Sequence, residues 1–125
     1  MAEKMCNKPG VGHRYGKRHI PGVMNKTEER YAEILQGRKL IGEVIEWHFE
    51  ATTFKLADGL RYTPDFSVFL ADGTVEYIDS KGTGPIDDKS IAKIKMAAER
   101  FFFFTFCMDV EQTKKNGGGF KRRVF

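Results

Sequence analysis

Hydrophobic residues three and four positions apart predict a first helix near the start of the chain. The helix is expected to begin near Asn25 and to end before Gly37. Asn25 and Glu28 have the spacing of a capping box, in which each residue's side chain bonds the other's main-chain N–H. The apolar face of this helix is formed by Tyr31, Ile34 and Leu35.

The apolar period then changes to two, which is typical of half-buried strands. Ile45, Trp47 and Phe49 alternate with polar residues, and the tetrapeptide Leu-Ala-Asp-Gly occurs at 56–59 and again at 70–73. Asp-Gly between extended runs is a strong hairpin signal. We therefore expect an antiparallel meander of three strands at about 43–56, 60–70 and 74–80.

A second helix and a fourth strand follow the meander. Asp87 or Asp88 is expected to cap the helix, and 102–108 is predicted to be the strand. A return beside the third strand would form a crossover connection, which is almost always right-handed. The buried face of the helix is predicted to contain Ile91, Ile94, Ala98 and Phe101. The predicted fold is an α/β domain with the order α-β-β-β-α-β, in which helices flank a mixed sheet.

Composition limits the class of protein. A chain of 125 residues with 41% hydrophobic residues is expected to form one domain, here 25–125, preceded by a basic flexible arm at 1–24. No apolar run approaches the roughly 20 residues of a membrane span, and no secretory signal is recognisable. The two cysteines form no disulfide framework, the three histidines have no zinc-like spacing, and no P-loop is present. We expect a soluble cytoplasmic protein with no membrane partner.

Charge is concentrated at the two ends of the chain. Residues 1–24 and 111–125 each carry five basic residues against one acidic residue, whereas the residues between them are net acidic. Basic ends on an acidic body suit a protein that binds a polyanion, although basic ends can also simply aid solubility.

The most informative residues for chemistry are Asp65, Asp79 and Lys81. Asp79 and Lys81 are two positions apart in a predicted strand, so they share a face, with their Cα atoms about 7 Å apart. The position of Asp65 depends on the hairpin loop. A two-residue turn would place it opposite Ser80, on the wrong face, whereas a three-residue loop with Gly73 in the left-handed conformation, or a bulge, would place it opposite Asp79.

Glu28 shares a helical face with Tyr31 and Leu35. A glutamate on a buried face is costly unless a cation or a donor meets it. It is either a member of the capping box or a further acidic group of the same site.

Two or three carboxylates with a lysine match what hydrolysis of a phosphodiester requires. Asp65 and Asp79 are suited to Mg²⁺, which prefers oxygen ligands and retains several waters. Lys81 is placed to orient the attacking water or to neutralise charge on the phosphate.

Pro64-Asp65 followed by Asp79-Ser80-Lys81 resembles the signature of the PD-(D/E)XK nuclease superfamily, and the segment around it resembles small phage nucleases of the endonuclease I, junction-resolving type. The resemblance covers roughly 25–106 and implies a restriction-endonuclease-like core with the element order predicted above. It implies that Asp65 and Asp79 bind Mg²⁺, with Mn²⁺ as a substitute, together with the main-chain carbonyl of Ser80. It also implies that Lys81 is catalytic and that Glu28, or Glu29 if the helix is rotated, completes the site.

The resemblance implies an endodeoxyribonuclease, acting on branched DNA, such as a junction, or on duplex DNA. A junction resolvase would normally be a homodimer. A phage or prophage product acting in the bacterial cytoplasm is the implied source. The alternatives are a non-catalytic DNA-binding module with the same fold and a nuclease that acts on RNA or within a larger assembly. Residues expected to contact nucleic acid are Lys17, Arg18, Lys93, Lys95, Lys121, Arg122 and Arg123.

Overall fold

The computed structural model describes residues 20–125 and shows an α/β fold. The elements are α1 (Lys26–Leu40), β1 (Val44–Phe49), β2 (Phe54–Ala57), β3 (Leu60–Tyr62), β4 (Phe66–Leu70), β5 (Val75–Lys81), α2 (Asp88–Arg100), β6 (Thr105–Glu111) and β7 (Phe120–Val124). A mixed five-stranded sheet has the order β1-β4-β5-β6-β7, and β2 and β3 form a separate hairpin. Two helices pack on the sheet.

The first helix begins where the sequence predicts and ends later. Asn25 is its N-cap, and both hydrogen bonds of the capping box with Glu28 are present. The predicted end before Gly37 is wrong because the helix continues to Leu40. A glycine inside a helix costs only about 1 kcal/mol, and the left-handed turn that ends this helix falls at Gly42, where φ is 88°.

The antiparallel meander is present, but its strands are shorter than predicted. The expected 43–56 strand is divided into β1 and β2, and the expected 60–70 strand into β3 and β4. In the main sheet β4 pairs antiparallel with β1 on one side and with β5 on the other. The first Asp-Gly turn closes the separate β2–β3 hairpin, and the second closes β4–β5.

Ile45 and Ile34 are not the core residues that the periodicity predicts. The pairing of β1 with β4 shifts between Val44 and Glu46, so a bulge at Ile45 leaves its side chain 61% exposed while Val44 is buried. On α1 the buried stripe is narrow and consists of Glu28, Tyr31 and Leu35, so Ile34 lies at its margin.

The second helix is capped by Asp87, whose side chain accepts from the Lys89 N–H. The following strand, β6, pairs parallel with β5, as a return beside the third strand requires. It runs over Thr105–Glu111, so the prediction of 102–108 is wrong by three residues. Three successive phenylalanines, 101–103, form the turn after α2, which leaves Phe102 and Phe103 exposed.

The last strand, β7, was not predicted. Three successive glycines, Gly117 to Gly119, have positive φ and reverse the chain so that β7 pairs antiparallel with β6. Its three successive charged residues, 121–123, show no alternation of apolar and polar positions, so hydrophobicity did not predict a strand here.

The sheet has a hydrophobic core on each face. The α2 face contains Phe54, Tyr62, Tyr77, Phe106 and Met108 among its buried residues. The α1 face contains Tyr31, Leu35, Phe66, Val68 and Ile78 among its own. No helix in the described part of the chain is long and apolar enough to cross a membrane.

The bulge predicts unequal costs for two neighbouring substitutions in β1. Val44→Ala removes buried methyl groups and should lower the free energy of unfolding by about 2 kcal/mol. Ile45→Ala should change it by less than about 0.5 kcal/mol, since the side chain is already exposed. Urea unfolding of both variants measures this, and equal losses would contradict the bulged register.

Candidate active site

The β4–β5 register is the one that the metal-site hypothesis requires. Phe66 lies opposite Ile78, and Ser67 lies opposite Tyr77. The Leu70 N–H donates to the Thr74 carbonyl at 2.9 Å, so the pairing extends to these two residues and the loop between them is 71–73, with Gly73 at φ 93°. One further step of the same pairing places Asp65 opposite Asp79, so the condition stated from the sequence is met.

Hydrogen bonds hold Asp65 from two directions. Its Oδ2 atom accepts from the Ser80 N–H at 2.9 Å and from the Ser80 hydroxyl at 3.1 Å. Its main-chain carbonyl accepts from the Glu50 N–H at 2.8 Å. Glu50 has φ 49°, which is a strained value for a residue with a side chain. Strain of this kind is found where surrounding contacts fix the backbone, and here it lies directly beside a candidate catalytic residue.

Asp79 and Lys81 contact each other as their strand positions predict. The Lys81 Nζ atom is 3.0 Å from Asp79 Oδ2, and the Asp79 side chain is buried. The same ammonium lies 3.4 Å from the hydroxyl of Ser90, in the first turn of α2. The lysine is therefore held at the end of β5, beside the carboxylates.

The electrostatics of the pair favour a cation. Burial, together with the negative charges of Asp79 and Glu28, raises the pKa of Asp65 to about 8, although the hydrogen bonds from Ser80 oppose the rise. Two carboxylates that repel each other in a partly dry site are stabilised by any positive charge placed between them. Lys81 supplies part of that charge, and a divalent cation would supply more.

Glu28 is the buried acidic residue of α1, and Glu29 is exposed. The Glu28 Oε1 atom accepts from the Asn25 N–H at 2.8 Å, so the capping interpretation is confirmed. Its charge nevertheless acts on Asp65. A direct role for Glu28 in binding a metal stays a prediction.

The site offers few protein ligands for a metal ion, which restricts the kind of ion that it suits. Across residues 20–125, no group of three or more histidine, cysteine, aspartate or glutamate side chains is placed to hold a metal ion. The two aspartates remain, with the main-chain carbonyl of Ser80 as the implied third ligand. Mg²⁺ commonly binds proteins through one or two carboxylates and completes its shell with water and substrate phosphates, so the residues present fit that ion.

The predicted DNA-contacting residues lie in different environments. Lys17 and Arg18 lie outside the described residues. On α2, Lys93 is half-buried and Lys95 is exposed, and on β7 both Lys121 and Arg123 are exposed. Contact of these residues with nucleic acid stays a prediction.

Arg122 is bound by two buried acidic residues, although its own side chain is 32% exposed. Its guanidinium donates to both carboxylate oxygens of Asp109, at 2.9 and 3.0 Å, and to Glu76 at 2.9 Å. Tyr31 on α1 donates a hydrogen bond to the same Asp109. The hydrogen bond with Asp109 is the main cause that raises the pKa of Arg122 above its usual range. Arg122 thus ties β7 to β6, β5 and α1.

Two features of the site escaped the sequence interpretation. The Ser80 hydroxyl contacts Asp65, although only the main-chain carbonyl of Ser80 had been singled out. Tyr62, three residues before Asp65, is buried, and its hydroxyl lies in the field of both aspartates. Its place in the same Tyr-Thr-Pro-Asp segment was the available signal.

Comparisons of this chain with protein-family models, with curated proteins and with solved structures found no match.

The raised pKa of Asp65 predicts how stability depends on pH without added metal. In the unfolded chain this carboxyl ionises near 3.8, whereas in the folded protein it keeps its proton to about pH 8. The folded state therefore binds more protons in this window, and the contribution of Asp65 to stability falls as pH rises from about 4 to about 8. Asp65→Asn abolishes that contribution.

The measurement is the free energy of unfolding of wild type and Asp65→Asn at pH 4.5 and pH 8, in EDTA. From pH 4.5 to pH 8, the free energy of unfolding of the variant should rise by roughly 1 kcal/mol or more relative to that of wild type. A difference that is the same at both pH values would contradict the raised pKa.

The contacts of Arg122 with two buried carboxylates predict a structural cost for its removal. Arg122→Met leaves Asp109 and Glu76 as buried, uncompensated charges, so the free energy of unfolding should fall by about 2–4 kcal/mol. Lys121→Met, the neighbouring exposed control, should change it by less than about 0.5 kcal/mol. Equal, small effects in chemical denaturation would show that the network contributes little.

Proposed function

We propose that this chain is a metal-dependent endonuclease of the PD-(D/E)XK type that hydrolyses phosphodiester bonds in DNA. The observation that carries the proposal is the β4–β5 register, whose next step places Asp65 across from Asp79, while the Lys81 Nζ atom lies 3.0 Å from the Asp79 carboxylate. A one-residue slip would have separated the two carboxylates.

The surroundings of these residues support a restriction-endonuclease-like core. α1 presents a buried glutamate near the end of β5, since a Cβ added at Gly82 would lie 3.3 Å from the Thr27 hydroxyl of α1. The antiparallel β1-β4-β5 meander is followed by a helix and then by a strand parallel to β5. If the β2–β3 hairpin and β7 are left aside, the order of elements along the chain agrees with the α-β-β-β-α-β order that the resemblance implies.

Each residue has a role that follows from its contacts. Asp65 and Asp79 are proposed to bind the cation, together with the carbonyl of Ser80. A bound Mg²⁺ or Mn²⁺ supplies Lewis-acid activation of the phosphate and a more acidic water. Lys81 holds a positive charge where negative charge develops on the phosphate, and its contacts with Asp79 and Ser90 keep the ammonium in place.

DNA is the proposed substrate because of the basic ends of the chain and the exposed lysines and arginine of α2 and β7. Branched DNA, such as a junction, and duplex DNA are both candidates within that class, and a junction resolvase would normally be a homodimer. The proposed setting is a bacterial cytoplasm in which a phage-encoded nuclease acts.

The proposal predicts metal-dependent cleavage that requires Asp79. Wild-type protein should cut supercoiled plasmid or a synthetic four-way junction in Mg²⁺ or Mn²⁺ and be inactive in EDTA. Asp79→Asn removes one proposed ligand charge and should reduce the cleavage rate by roughly 100-fold or more. Asp58→Asn, at the exposed turn between β2 and β3, is the matched control and should cleave like wild type.

Three results of this assay separate the alternatives. A stronger preference for the junction than for the plasmid would favour a resolvase. Binding of either DNA without cleavage would favour the non-catalytic binding module. Cleavage that is equal in wild type and Asp79→Asn would overturn the proposed site.

A further inference from the structure

Tyr62 is a buried residue beside the two carboxylates. It is the last residue of β3, its side chain is only 6% exposed, and it packs in the core of the α2 face. Its partner across the hairpin is Phe54. Three residues later the chain reaches Asp65.

The hydroxyl of Tyr62 makes no hydrogen bond with any part of the chain that the structure describes. A buried hydroxyl without a partner costs free energy, because it loses its hydrogen bonds with water on folding. Phenylalanine would fill the same space without this cost. Among residues 20–125, the only other buried side-chain atom in this condition is one oxygen of Glu76, whose second oxygen accepts from Arg122.

The surroundings indicate what the hydroxyl faces. Apart from burial, the main influences on the Tyr62 phenol are the negative charges of Asp79 and then of Asp65, and all three raise its pKa. The hydroxyl therefore stays protonated and can donate a hydrogen bond. The nearby carboxylates are acceptors, and a gap wider than a direct hydrogen bond is commonly bridged by one water molecule.

We propose that Tyr62 is a positioning residue of this site, whose hydroxyl donates to a water molecule that is shared with Asp79 and Asp65 and so orders the two carboxylates for a divalent cation. This inference rests on the proposed function, because it assumes that the carboxylates bind a cation. Outer hydrogen bonds of this kind fix the orientation of ligand side chains and commonly contribute 10- to 100-fold to metal affinity or activity.

The test compares Tyr62→Phe with Tyr77→Phe. Both tyrosines are buried in the same core, but Tyr77 stacks on Phe106 and its hydroxyl interacts with Thr52 rather than with the aspartates. The measured quantities are the Kd for Mn²⁺ by titration calorimetry, kcat and KM on the cleaved DNA, and the melting temperature in EDTA.

For Tyr62→Phe, the Mn²⁺ Kd should rise about 10-fold and kcat should fall by a similar factor, while KM changes by less than about 3-fold. Its melting temperature in EDTA should equal that of wild type within about 2 °C, because the hydroxyl has no partner in the described chain and its removal breaks no contact within the protein. Tyr77→Phe should retain the wild-type Kd and kcat.

Each contrary result has a distinct meaning. Wild-type Mn²⁺ affinity and kcat in Tyr62→Phe would overturn the role of Tyr62 and leave the nuclease proposal intact. A lower melting temperature for Tyr62→Phe in EDTA would also overturn it, since the hydroxyl would then have a structural partner. If wild type binds Mn²⁺ but cleaves no DNA, the proposed function fails, and the Kd of Tyr62→Phe alone decides the role of Tyr62. Absence of Mn²⁺ binding by wild type would overturn the inference.

Discussion

The three-residue loop between β4 and β5 is the constraint on which the candidate site depends. Gly73 adopts φ 93°, which glycine reaches without steric cost, and this conformation sets the register of the two strands. Because successive strand residues face opposite sides of a sheet, a change of one residue in that loop would move Asp65 from Asp79 to Ser80 as its cross-strand neighbour. The chemistry of the site is thus decided by backbone geometry several residues away.

Several features of the candidate site are destabilising. Burial and repulsion by Asp79 raise the pKa of Asp65. Glu50 adopts a strained backbone conformation, and its N–H donates to the Asp65 carbonyl. The Tyr62 hydroxyl is buried without a partner in the described chain. On the opposite face of the sheet, the buried charges of Asp109 and Glu76 are matched by Arg122 and Tyr31. The two polar clusters therefore differ: the carboxylates of one are paired with an arginine of the protein, and those of the other gain from a cation.

Local chemical signals explain which elements could be predicted from the sequence. The capping box at Asn25, the two Asp-Gly turns and the Asp87 cap act within a few residues, so helix starts and hairpins were predictable. The bulge at Ile45 was not predictable, because it depends on pairing with β4, and β7 was not, because its charged residues mask the hydrophobic pattern of a strand. At the site, spacing alone identified Asp79 and Lys81 as neighbours. The position of Asp65 could not be predicted without knowing the length of the hairpin loop. Spacing also gave no sign that the Tyr62 hydroxyl would be buried, since burial is a property of the packed core.

The central claim is that Asp65 and Asp79 together bind a divalent cation. The most direct measurement is a crystal structure of the wild-type protein grown or soaked with Mn²⁺, with anomalous diffraction recorded at the manganese edge. The predicted result is one strong anomalous peak within about 2.0–2.3 Å of oxygens from both aspartates. Well-ordered aspartates with no peak between them, or a peak held by other residues alone, would contradict the claim.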